Sequence, residues 1–129
     1  INLNSKGRGL LMLFLFSDVS QMDAPTRILK SSHLEVAKLL QEKGEDGLSF
    51  MELASQLNNL PNGEEILAVG PAGTVYLCHP FLVHAAQGHS GDVPKFMAQP
   101  PLLLKEGFDI NGEGPFSPVE QAIRNAVNS

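Results

Sequence analysis

The chain has 129 residues, 43% of them apolar and 18% charged, and carries a net charge of −5. That length and balance fit one folded domain, spanning residues 1–129, with a modest core, and they exclude a disordered chain. The acidic surplus argues against nucleic acid as a partner, because phosphate binding needs a basic surface.

The longest apolar run, Leu10–Phe16, has seven residues. A bilayer takes about 20, so the run predicts no membrane span. Bounded by Gly9 and by Ser17-Asp18, it reads as a strand buried on both faces, with a short helix as the alternative. Ser20–Pro25 reads as a loop and Thr26–Leu29 as a short second strand. Ser32-His33-Leu34-Glu35 has the S-x-x-E spacing of a capping box and opens a helix ending at Gly44. Ser49-Phe50-Met51-Glu52 repeats the spacing ahead of a helix to about Leu57. Glu65–Val69 is expected to be a strand, Gly70–Gly73 a turn, and Thr74–Cys78 a strand rich in β-branched and aromatic residues. Phe81–Ala86 continues it after a break at Pro80. Lys95–Ala98 forms a return strand that ends at Pro100-Pro101. Residues 105–116 read as loop, and Ser117-Pro118-Val119-Glu120 opens a last helix to about Val127.

Cys78 is the single cysteine. It excludes an intramolecular disulfide and a cysteine-rich zinc site, and it is expected to be a small buried apolar residue. The N-terminus lacks the basic, apolar, small pattern of a signal peptide. Together these lead to the expectation of a cytoplasmic protein. The first residue is Ile1 rather than methionine, so the sequence is expected to be a fragment, a processed product or a trimmed chain.

The stretch Tyr76–Pro101 carries the candidate chemistry. Along a strand at Phe81–Ala86, Leu82, His84 and Ala86 share one face. In a hairpin closed by Gln87–Pro94, His84 and Lys95 sit opposite each other, about 4.5–5.5 Å apart at Cβ. A neutral, metal-bound imidazole tolerates a lysine that faces an anion. The residues themselves leave a plainer reading open: His84 as a hydrogen-bonded structural histidine, Lys95 as a surface lysine, His79 as structural, His89 as a loop residue and His33 as a helix-start residue.

The segments LLMLFLFSDV, TRILKSSH and GPAGTVYLCHPFLVHAAQGHSGDVPKFMAQPP resemble the C-terminal part of the phytanoyl-CoA dioxygenase family. The resemblance covers roughly residues 7–101, and its most specific piece is His79-Pro80-Phe81-Leu82-Val83-His84 with Lys95 eleven positions on. It implies a mainly β fold with flanking helices, a partial double-stranded β-helix of the jelly-roll or cupin-like kind. It implies a non-haem iron(II)/2-oxoglutarate-dependent dioxygenase that hydroxylates a small organic substrate, with ascorbate as reductant. His84 would be the distal iron ligand, and Lys95, where most members have arginine, would pair with the far carboxylate of 2-oxoglutarate. The family's His-x-Asp pair has no counterpart here, so the chain is expected to be the C-terminal portion of a longer dioxygenase domain, inactive alone and open to homo-oligomer formation. The alternatives are a non-catalytic jelly-roll domain for binding or assembly, and a cupin-like domain with other metal ligands.

Overall fold

A computed structural model of the chain describes all 129 residues. The first apolar run forms β1, Leu11–Leu15, but its burial alternates. Leu11, Leu13 and Leu15 are buried, whereas Met12 and Phe14 are only partly covered. A strand buried on both faces needs a layer on each side. Here only one face is covered, and the opposite face carries exposed Phe16, Val75, Leu77 and Phe96.

Two antiparallel sheets of three strands build the β part. In the first, β1 lies between β4 (Val75–Cys78) and β6 (Met97–Ala98), with Leu13 opposite Tyr76 and Leu15 opposite Met97. In the second, β2 (Arg27–Leu29) lies between β3 (Glu65–Leu67) and β5 (His84–Ala85), with Ile28 opposite both Ile66 and His84. Leu11, Leu13, Ile28 and Ala68 form a small core, with Tyr76, Cys78, Leu82 and Met97 around it.

The jelly-roll expectation is not met. Both sheets are open, and neither curls into a double-stranded β-helix. A jelly roll takes eight strands in two sheets; this chain has six strands of two to five residues. Pro80 ends β4, and Pro94 and Pro100 flank β6, so β4 and β6, the edge strands of the first sheet, are too short to extend the ladder. The architecture is two small open sheets flanked by helices.

The helices close a second, larger core. α1 (Ser32–Glu42) and α3 (Pro118–Val127) pack together through Val36, Ala37, Leu40, Ile123 and Ala126, with Leu3, Leu48, Phe81 and Phe108 completing the cluster. Two of the predicted capping boxes form as drawn. Ser49 and Glu52 cap α2 (Phe50–Gln56) reciprocally, and Ser117 and Glu120 do the same for α3, with Pro118 at its first position. The Glu120 carboxyl is held below the ordinary range, first by the Ser117 backbone N–H and then by that of Asp109, so it also pins the preceding loop. No helix is long and apolar enough to cross a membrane.

The third box does not form. α1 is capped by Ser31, in a left-handed conformation with φ of 65° and no side-chain hydrogen bond to the helix. The Ser32 hydroxyl is used elsewhere: it donates to the Leu29 carbonyl (2.7 Å) and accepts from the Val83 N–H (2.8 Å). Both partners are backbone groups of partly buried residues, and a buried backbone group is costlier to leave unpaired than a solvated helix end.

Ser32→Ala should therefore lower stability by about 1–3 kcal/mol in urea unfolding, the cost of a buried N–H left unpaired. Glu35→Ala, which would remove the reciprocal acceptor of a capping box, should stay within about 0.5 kcal/mol of the parent. A larger loss from the glutamate change would restore the capping role.

Candidate functional site

The sequence-predicted hairpin is the first thing the structure corrects. His84, in β5, pairs with β2 of the second sheet, whereas Lys95 precedes β6, which pairs with β1 of the first. They are not cross-strand neighbours. The intervening loop instead turns to the 20–25 loop: Gln87 donates its side-chain amide to the Pro25 carbonyl (2.7 Å), and the N–H groups of Ser90 and Gly91 both donate to the Met22 carbonyl. The Lys95 ammonium donates to the Ala24 carbonyl. His89 stays within this loop, accepting from the Gly91 N–H at Nδ1 and lying 2.8 Å from the Val93 carbonyl at Nε2.

His84 has a defined state. Its Nδ1 is 2.9 Å from the Leu82 carbonyl, which only accepts, so Nδ1 carries the proton. The Nε2 lone pair then faces the side-chain amide nitrogen of Gln99 at 3.3 Å. This contact joins the end of one sheet to the end of the other. His79 is used differently. Its Nδ1 accepts from the Phe81 N–H (3.1 Å), which tightens the turn at Pro80. Its ring lies 4.8 Å from that of His33 and 5.3 Å from that of Phe81. Cys78 is half-buried, and burial pushes its thiol up, away from the thiolate.

These residues do not fit an iron centre. No three His, Cys, Asp or Glu side chains come together to hold a metal. A facial triad needs two histidines and a carboxylate, and His84 has no second ligand beside it. With neither the ligand set nor the jelly-roll scaffold, the reading as part of an iron(II)/2-oxoglutarate-dependent dioxygenase is withdrawn. The same holds for its non-catalytic jelly-roll and cupin-like alternatives.

A cleft surrounds His84 instead. Its inner lobe, about 120 Å³, lies between α2 and the turn into β5 and is lined mainly by Val36, Leu53, Ala54, Leu57, Phe81 and Val83. Its outer lobe, about 400 Å³, is lined by Gly7, Arg8, Gln99 and Pro100 among others. Arg8, Phe50, Pro80 and His84 line both, so they form the neck between them. The wall is placed by local chemistry. Gly47 has a φ of 62°, and a Cβ there would come within 2.1 Å of the Ile1 carbonyl oxygen; only glycine lets the chain pass and start α2. The Leu48 N–H donates to that carbonyl (2.8 Å), fixing the approach.

Sequence reasoning found His84 but missed Arg8, Gln99 and the α2 wall. The wall had a signal: Phe50, Leu53, Ala54 and Leu57 recur at helical spacing on one face. Arg8 and Gln99 had none, because their neighbours in space come from distant segments.

No protein-family model matches the chain, and no curated protein or solved structure is detectably similar to it. The resemblance to the phytanoyl-CoA dioxygenase family is thus not upheld by any wider similarity, and the site rests on its geometry.

The stacked histidines generate a pH dependence. Burial lowers His79 from an ordinary 6.5 to about 4, and the neighbouring His33 adds to the shift; the nearby Val119 backbone, which makes no well-formed hydrogen bond to Nε2, opposes it. Burial lowers His33 too. Both imidazoles are neutral in folded and unfolded chains above pH 6.5, so their contribution is complete there. As pH falls from 6.5 towards 4 the unfolded chain takes up protons that folded His79 refuses, and stability is lost. The urea midpoint should therefore fall between pH 7 and pH 4.5, and by less in His79→Leu. Parent and variant carry the same carboxylates, so equal slopes would show that His79 is not the source.

Proposed function

We propose that this chain is a small-molecule-binding domain whose site is the cleft between α2 and the Pro80–His84 segment. One observation carries the reading: an apolar lobe meets a larger, more polar lobe at His84. Ligand sites have this form, an apolar body with a few polar groups that set orientation. The inner lobe is about 120 Å³. An engineered apolar cavity of about 150 Å³, lined by aliphatic and aromatic side chains, admits benzene, so the inner lobe suits a single ring or a short branched alkyl group.

Nothing in the cleft calls for a chemical step. His84 supplies a lone pair and Gln99 an amide that already meets it. These groups orient a ligand.

Benzene titrated into methyl-labelled protein should shift the resonances of Val36, Leu53, Leu57 and Val83 and leave those of Leu13 and Ile28 in place. Ala54→Phe, which fills the lobe, should abolish the response. Shifts at the exposed face of β1 alone would show that the apolar sheet surface, not the cleft, takes the ligand.

A further inference from the structure

We infer that the ligand of this cleft is a carboxylate carrying one compact apolar group, its carboxylate on Arg8 and its apolar group between α2 and Phe81. The inference rests on the cleft being a binding site, and it adds which chemistry the site selects.

Charge provides the first argument. The chain holds 14 acidic residues and a net charge of −5, yet no Asp or Glu lines either lobe. Arg8 is the cationic side chain of the lining and lines both lobes, while the Ile1 terminal ammonium beside the inner lobe donates to the Leu48 carbonyl. A cationic head would meet a guanidinium with no acid beside it. An anionic head finds the opposite charge where the apolar lobe ends.

The state of Arg8 provides the second. The chain has three arginines. Arg27 is paired with Glu65 (2.8 Å), and Arg124 donates to the Ile110 carbonyl while its guanidinium lies 3.9 Å over the Phe116 ring. Arg8 makes no ion pair and no side-chain hydrogen bond in the structure. Its planar fork matches a carboxylate with two parallel N–H donors. A single guanidinium balances one negative charge, which favours a carboxylate over a doubly charged phosphate. Gln99 lines the same outer lobe and has a second amide hydrogen beyond the one facing His84.

Size provides the third. The inner lobe at about 120 Å³ holds one ring, while the outer lobe at about 400 Å³ leaves room for the head and its water. A long-chain acid would overfill the inner lobe.

The test uses the 129-residue chain and isothermal titration calorimetry with 3-phenylpropionate, its neutral amide, and phenylphosphonate, alongside the benzene titration. The parent should prefer the acid over the amide by about tenfold or more, the scale of one charge-assisted contact. Arg8→Ala should erase that preference, whereas Arg27→Ala, which removes a cation outside the cleft, should keep it. Arg8→Lys should keep part of it. If benzene binds but acid and amide bind equally, the carboxylate assignment is overturned and the binding cleft stands. Tighter binding of the phosphonate than of the acid also overturns it. If neither benzene nor any probe binds, the cleft reading falls and the inference with it.

Discussion

One buried hydroxyl ties the second sheet to the start of α1. Ser32 is 4% exposed and sits between the Leu29 carbonyl at the end of β2 and the Val83 N–H just before β5. Leu29 itself donates its N–H to the Val83 carbonyl (2.9 Å). Through these contacts the second sheet, the start of α1 and the turn at Pro80 share one anchor. The Pro80–Val83 segment forms the floor of the cleft, and His84 follows it directly. The position of the imidazole is thus set by a serine from another part of the chain. Such a hydrogen bond contributes modestly when formed and is costly when broken, since a buried backbone group is left unpaired.

What the sequence revealed divides by range. The boxes at Ser49 and Ser117 were legible because every atom in them lies within one helical turn. The same spacing at Ser32 misled, because the Val83 N–H, 51 residues away, competes for the hydroxyl. The strand at Leu11–Leu15 was legible from its apolar run, but not its half-exposed state, which depends on whether a second layer exists. The hairpin between His84 and Lys95 failed for the same reason. Nothing local in residues 87–94 announces that Gln87, Ser90 and Gly91 satisfy the carbonyls of Met22 and Pro25. Of the site, the apolar face of α2 was written in the spacing of Phe50, Leu53, Ala54 and Leu57. Arg8 and Gln99 became meaningful only when three distant segments met.

The His79–His84 run shows how a short pattern can have an ordinary cause. Each imidazole Nδ1 bonds to a backbone group two residues away, His79 accepting from the Phe81 N–H and His84 donating to the Leu82 carbonyl. A turn beginning at a proline leaves such groups without ladder partners, and histidine can serve as donor or acceptor for them. The two rings are therefore explained by turn chemistry at their own positions. The charge at Lys95 has a similar account, since its ammonium ends on the Ala24 carbonyl and helps strap two loops together.

α2 forms one wall of the cleft, yet none of its residues is buried, and Phe50 and Met51 are 66% and 74% exposed. Detaching this helix uncovers the partly buried Leu53 and Ala54, whereas detaching α3 would uncover the fully buried Ile123 and Ala126 from the middle of the larger core. Stability in a folded chain is local, and elements with few buried contacts open at free energies far below global unfolding. α2 can then loosen the wall of the cleft while the rest of the molecule stays folded. The shape of the cleft and survival of the fold become separate quantities, so a core substitution can weaken the fold without moving the cleft wall, and a change confined to α2 can do the reverse.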